Sequence, residues 1–443
     1  MRKGIYSKRC WTGGRLQEAT VCFNNGKIEE IISGAMPAGE ITDAGDHILM
    51  PGIIDAHVHV NEPGRTDWEG FDTATKAAAA GGITTIVDMP LNASPVTTTL
   101  AAFHEKLEAT KGKLHVNCGF YAGLVPGNVH ELEGMINAGV LGVKAFLTHS
   151  GIDEFPNVGI QELEEAMPLL AKHKVPLLVH CELSDDKHGD DLAANPTSYQ
   201  SYLNSRPRHW ENYSIKMMID LCRKHNCPTH IVHVSSSDAL AMIASAKAEG
   251  LPLTAESCPQ YLYFNAEEIP DGNTLYKCAP PIRERENNEQ LKQALKNRIL
   301  DFITTDHSPA PPSIKEIASG NLLEAWGGIA GLQFLLPSSW TALKQQITLE
   351  EFIPLVTEQP AKFLSANNNK GLIKEGYDAD LTIWSPAEQL VITEEQVYHK
   401  HKLSPYIGKE LYGKTYATYV AGELVYKDQN IINKNKGQWL LRK

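Results

Sequence analysis

The stretch Pro51-Gly52-Ile53-Ile54-Asp55-Ala56-His57-Val58-His59-Val60 decides how the rest of the chain is read. An apolar run ends in two histidines with one residue between them. Residues two apart on a β-strand point to the same face. The imidazoles of His57 and His59 therefore project together from the end of one strand. Two neutral imidazoles on one face form a ready pair of metal ligands. A half-buried strand with two solvent-facing histidines gives the same pattern, so the remainder of the sequence has to choose.

Outward from that strand, two periodicities alternate. Short apolar runs suited to strands fall at residues 53–59, 84–89, 115–122, 142–146, 176–181, 229–234, 253–257 and 302–305. Segments with helical spacing lie between or after them, at 72–80, 100–111, 129–138, 161–173, 214–225, 238–249, 288–300 and 349–364. Thr97 to Thr99 and Ser235 to Ser237 supply N-terminal caps for two of these. Eight strands, each followed by a helix, predict a (β/α)₈ barrel over residues 51–368. The short, wholly apolar strands suit a parallel sheet buried on both faces.

Both ends of the chain read differently. Residues 19–23 and 27–32 flank Asn25-Gly26, a strong hairpin signal, and 47–50 is another β stretch. After the polar linker Asn367-Asn368-Asn369-Lys370, residues 380–384, 416–421 and 424–428 read as strands, the last two around Gly422. Residues 1–50 and 369–443 are therefore expected to form one small β-sandwich domain beside the barrel.

Composition narrows the classes of partner. With 42% hydrophobic and 21% charged residues the 443-residue chain is ordinary globular material, long enough for a sizeable core. A formal net charge of −12 argues against nucleic acid or an anionic membrane as partner. No apolar segment follows the charged start Met1 to Arg9, and no run reaches the ~18 apolar residues of a membrane span. A cytoplasmic location is expected. The eight cysteines are scattered with no Cys-x-x-Cys pair, and read as reduced, buried thiols.

The residues at the strand ends answer the opening question. His57 and His59 close the first strand, Lys144 sits inside the fourth, His180 closes the fifth, His233 the sixth, and Asp306 follows the eighth. The C-terminal ends of barrel strands face the active site. Singly, His180 or His233 reads as a hydrogen-bonded core histidine and Asp306 as a cap. Together they make a metal site. Lys144 needs a partner or a lowered pKa, because an unpaired buried ammonium is costly. Four histidines, an aspartate and a bridging anion can hold two divalent ions that share a hydroxide. A lysine becomes such an anion only after its amine adds CO₂.

The His-x-His strand, the lone lysine, the two later strand-end histidines and Thr305-Asp306-His307-Ser308-Pro309 resemble the amidohydrolase superfamily. The likeness is to its cyclic amidase branch of dihydroorotases, hydantoinases (dihydropyrimidinases) and allantoinases, and it spans essentially the whole chain. It implies metal ligands His57, His59, Lys144 as a carboxylated bridge, His180, His233 and Asp306. The implied cofactor is two divalent ions, zinc first, with cobalt, manganese or iron also suited to mixed N/O ligands. Within the branch, His57-Val-His-Val-Asn-Glu-Pro-Gly-Arg65, Asp67-Trp-Glu-Gly70, Met89-Pro-Leu-Asn92, Lys277-Cys-Ala-Pro-Pro-Ile-Arg283 and Ala325-Trp-Gly-Gly-Ile-Ala-Gly331 resemble the allantoinase group. Dihydroorotases carry an arginine two positions after the His-x-His, where this chain has Asn61. A neutral substrate such as allantoin needs no such clamp, and a buried unpaired guanidinium would be costly.

The resemblance further implies hydrolysis of a cyclic amide by a hydroxide shared between the metals, with Asp306 as base and then acid. It implies substrate contacts near Ala279 and Gly327, through backbone groups that do not depend on the side chain. Asn92 and Ser308 are expected to touch substrate or cap loops. Arg65 is expected as a substrate-side cation or a loop brace. Asp55 is expected to orient a ligand imidazole, and His307 to stand behind the ligands or beside the substrate. A homo-tetramer or dimer is implied. Other readings are a dihydroorotase or hydantoinase, a catalytically inactive scaffold, and a cysteine nucleophile at Cys181 or Cys278.

Overall fold

Asn25 and Gly26 both adopt positive φ, 48° and 78°, the backbone of a type I′ turn. They join β2 (Arg15–Asn24) to β3 (Lys27–Ser33), as their sequence predicts. The computed structural model describes residues 3–34, 37–185 and 187–443. Residues 1, 2, 35 and 36 of the expected β domain and 186 of the expected barrel lie outside them.

The two ends of the chain build one sheet. It contains β1 (Lys3–Thr12), β2, β3, β4 (Glu40–Asp43) and β5 (Ile48–Pro51) from the N-terminal part. The sheet continues directly from β5 into strands that follow the barrel in sequence. Hydrogen bonding thus makes one continuous nine-stranded sheet rather than two separate ones. It curls over its own apolar cluster, in which Ile5, Val21, Ile28 and Leu49 meet Ile383, Ala417 and Tyr419. The curled edge is stitched where the Ile28 amide donates to the Tyr377 carbonyl at 2.9 Å and the Ala379 amide to Gly26 at 2.8 Å.

The barrel follows. Its strands are β6 (Ile53–Val58), β7 (Ile83–Asp88), β8 (Asn117–Phe120) with its continuation β9 (Ala122–Gly123), β10 (Val143–Phe146), β11 (Leu177–His180), β12 (Thr229–Ile231), β13 (Leu253–Ser257) and β14 (Phe302–Ile303). All pair in parallel with their sequence neighbours. A parallel bridge between Val58 and His307 brings the eighth strand back to the first. Ile54, Val87, Tyr121, Leu178, Val232 and Phe302, from successive strands, pack together as the interior. A larger cluster packs the outer faces of the strands against the helices.

Several elements are shorter than their sequence pattern. The predicted helix over 349–364 divides into Leu349–Val356 and Glu358–Phe363, because Thr357 leaves helical geometry at φ −131°, ψ −75°. Thr99 caps its helix as expected, accepting from the Ala102 amide. Ser235 and Ser236 do not: their amides donate to the buried Glu211 carboxylate instead.

After the barrel come β15 (Leu381–Val391), β16 (Glu410–Val420), β17 (Glu423–Lys427) and β18 (Asn430–Ile431), all in the terminal sheet. The last strand, β19 (Trp439–Leu440), departs from the expected division and pairs in parallel with β8 of the barrel. Its register is fixed by backbone: the Cys118 amide donates to Gln438 and the Arg442 amide to Gly139. Among the described residues no helix is long and apolar enough to cross a membrane.

Candidate metal centre

Pairing between β6 and β7 shifts register between Asp55 and Val58. Ile54 and Ala56 face the barrel interior, and strict alternation would then turn His57 away from it. The irregularity lets the strand present His57 and His59 to the same cavity, of about 270 Å³, at its C-terminal end. Lys144, His180, His233 and Asp306 line that cavity as well. The six expected ligands therefore converge from five strands, and all six are buried.

Asp306 gathers the first group. Its Oδ1 lies 3.1 Å from His57 Nε2 and 3.3 Å from His59 Nε2. One donor atom each from His57, His59 and Asp306 lies within 4.8 Å of the others, close enough to hold one cation. Burial works against the charge of Asp306, but the imidazoles of His57, His59 and His233 hold its carboxyl well below the usual range. The second group is His180 and His233, whose Nδ1 and Nε2 stand 2.9 Å apart. Asp306 and His233 both have left-handed backbones, φ 48° and 40°. Asp and His are among the residues that tolerate this geometry, which still costs on the order of 1–2 kcal/mol, and such outliers cluster at functional sites.

Three imidazoles are oriented from behind. Glu256 Oε1 lies 2.5 Å from His57 Nδ1, the Leu91 carbonyl 2.7 Å from His59 Nδ1, and Glu182 Oε2 2.8 Å from His180 Nε2. Each partner accepts a hydrogen bond from one ring nitrogen, which puts the lone pair on the other: Nε2 of His57 and His59, and Nδ1 of His180, which faces His233. Arg206 in turn grips both oxygens of Glu182. The donor set fits a divalent cation on chemical grounds. Buried His57 Nε2 and His233 Nδ1 have no hydrogen-bond partner among the described residues, and nitrogen left unpaired in a dry site otherwise destabilises the fold.

Glu256 and Glu182 are functional residues that the sequence reading missed. Their signal was present: each is a carboxylate in or just past an otherwise apolar strand, where a charge needs a partner. Two of the expected site residues do not line the cavity. Asp55 touches no imidazole. Its carboxylate accepts from the amides of His57 and Thr305 and from the Thr305 hydroxyl, tying the first strand to the eighth. Arg65 is held outside the cavity wall. It donates to the Asn92 carbonyl and to Glu154, and so braces the loop that carries Asn92. A guanidinium with two acceptors already in place is the loop brace the sequence left open.

His307 also stays off the cavity. Its Nδ1 accepts from the Gly331 and Leu332 amides, and its carbonyl accepts from the His59 amide at 2.8 Å. Asn92, Ala279, Gly327 and Ser308 do line the cavity. Asn92 is the most informative, since its buried Nδ2 has no acceptor among the described residues. Tyr202, Lys277 and Trp326 line it too; the sequence carried Lys277 and Trp326 only within longer motifs and gave Tyr202 no role. Cys181 and Cys278 are buried, and burial pushes both thiols well up, Cys278 to about 12, so neither is a thiolate nucleophile.

Fold and site together define a barrel hydrolase with a histidine-rich centre able to bind metal. The chain belongs to the amidohydrolase family, whose model matches residues 48–425. It is 43% identical to a probable allantoinase of Oryza sativa subsp. japonica, over 96% of this chain and 88% of that one. It is 42% identical to an allantoinase of Arabidopsis thaliana, over 95% and 87%. Among solved structures, an L-hydantoinase (dihydropyrimidinase) from Arthrobacter aurescens superposes with a TM-score of 0.93 at 30% identity, covering all of both chains.

Proposed function

We propose that this chain is an allantoinase, opening the cyclic amide of allantoin to give allantoate. The observation that carries this reading is the convergence of His57, His59 and Asp306 in a cavity whose cations, Lys144 apart, are already engaged. Arg206 is neutralised by Glu182, and Lys277 donates to the Leu323 and Ala325 carbonyls. At the position of the dihydroorotase arginine, Asn61 is buried and donates to the Pro309 carbonyl. This favours a neutral ring over a carboxylate-bearing one, in keeping with the names of the relatives.

His57, His59, His180, His233 and Asp306 would hold two divalent ions, with zinc the first candidate, and Lys144 as a carbamate would bridge them. Burial pushes the Lys144 ammonium down to about 8, so part of it is neutral amine near neutral pH. That amine can attack CO₂, forming an N–C bond and losing one proton, which turns a buried cation into an anion where cations must be held. When bound, the ions supply an acidified water and polarise the ring carbonyl. Asp306, ionised at neutral pH, takes the proton of the attacking water and returns it to the departing ring nitrogen. Asn92 offers its free amide N–H to the substrate. The same reading carries a cytoplasmic homo-oligomer, tetramer or dimer.

The test is metal content per chain together with turnover of allantoin, dihydroorotate and hydantoin. Allantoin should be the fastest substrate. Faster dihydroorotate or hydantoin hydrolysis overturns the assignment.

A further inference from the structure

Lys315 is a buried lysine, 4% exposed, that no carboxylate reaches among the described residues. Its ammonium donates to three backbone carbonyls: Lys277 at 3.1 Å, Trp326 at 2.9 Å and Gly328 at 2.6 Å. An ammonium has three N–H donors, and here each finds one acceptor. The three carbonyls come from two segments far apart in sequence. One, 277–279, carries Ala279. The other, 326–328, carries Gly327. Both Ala279 and Gly327 line the catalytic cavity, and a Cβ added to Gly327 would stand 3.9 Å from that of Ala279.

We propose that Lys315 is a positioning residue that clamps these two segments into one substrate-facing wall. Ala279 and Gly327 have no polar side-chain atom, so only their backbone groups can hydrogen-bond a ring. Backbone groups aim correctly only if both segments are fixed against each other. Hydrogen bonds to a charged donor are roughly twice as strong as neutral ones, which suits the cation to this task. Two further links run the same way: the Trp326 amide donates to the Ile314 carbonyl at 2.7 Å, and Lys277 reaches back to the Leu323 and Ala325 carbonyls. Burial pushes the Lys315 ammonium down to about 7, with Lys277 opposing its charge and Cys278 favouring it. A neutral amine has only two donors and leaves one carbonyl of the clamp unpaired.

The substrate side of this inference rests on the proposed cyclic-amide hydrolysis, so the experiment pairs a kinetic readout with one that needs no substrate. Metal-loaded wild type is compared with Lys315→Met and with the milder Lys315→Gln, whose amide keeps two donors. Hydrogen exchange is followed by mass spectrometry across 277–280 and 323–328, and kcat and KM are measured on allantoin. The expected result is faster exchange in those two segments alone, unchanged metal per chain, and KM raised about tenfold in Lys315→Met with kcat within about threefold. Lys315→Gln should fall between, and it stands alone if Lys315→Met does not fold. Unchanged exchange in both segments overturns the clamp whatever the substrate proves to be. A KM equal to wild type, or a rate loss that follows metal loss, overturns its role in binding. Wild type inactive on allantoin with the exchange effect present removes the substrate assignment and leaves the clamp standing.

Discussion

The two halves of the centre are organised by different forces. On one side, strands β6 and β14 bring His57, His59 and Asp306 together, and the carboxylate is the magnet. On the other, His180 and His233 have no anion between them and approach each other instead, 2.9 Å apart. Between the halves stands Lys144, buried, unpartnered and 5.1 Å from the Phe146 ring. A half-site with its own carboxylate is ready for a cation. A half-site of neutral imidazoles beside an ammonium is not. Under the proposed mechanism, a carbamate on Lys144 would supply the negative charge that this second half lacks.

Breaking the first half should have the largest effect. Asp306→Asn keeps the shape and removes both the anion and the proton carrier, so kcat should fall about 10³-fold or more. Retention of a tenth of wild-type turnover would show that another group moves the proton. The second half is tested at its centre. Lys144→Ala should lose about one metal ion per chain and nearly all activity, and a short carboxylate such as propionate in the assay should restore part of both. Full metal content without rescue would remove the bridge.

The outer carboxylates sharpen the comparison at smaller scale. Glu256→Gln acts on His57 in the first half, and Glu182→Gln acts on His180 in the second. Each should weaken metal affinity by about 10- to 100-fold, as loss of such partners typically does, read by chelator competition. Glu182→Gln should be the worse of the two, since it also removes the counter-charge of the half-buried Arg206 guanidinium. Equal effects would mean that the two halves are held alike. Smallest of all, Arg65→Met should change kcat by less than about threefold, because Arg65 reaches the cavity only through the Asn92 carbonyl. A large KM change there would restore Arg65 to the substrate side.

The ligands were legible for a simple reason. They lie at or near the ends of short apolar strands, which the barrel's one-ended geometry gathers; alternation pairs His57 with His59, and the irregularity ahead of them turns the pair to the cavity. Substrate-side residues were less so. Arg65 and Asn92 look alike in sequence, each a polar residue in a loop, and only the acceptors around Arg65 separate a brace from a contact. Asp55 shares the strand of His57 and His59, yet the barrel closes so that it meets Thr305 rather than an imidazole. Lys315 gave no signal at all, since a lysine in a polar loop reads as solvated until its three carbonyl partners are seen.

By itself, then, the sequence determined the alternation of strands and helices, the turn at Asn25-Gly26 and the six donors around the cavity. These follow from local geometry and from the cost of leaving a charge or imidazole alone in an apolar strand. The tertiary structure decided which polar group meets which across the barrel: Glu256 behind His57, Glu182 and Arg206 behind His180, and Lys315 between the two walls. Apart from Glu182 and His180, two positions apart, those pairings join residues 11 to 199 positions apart. They depend on how the eight strands close on one another, and no local pattern encodes that closure.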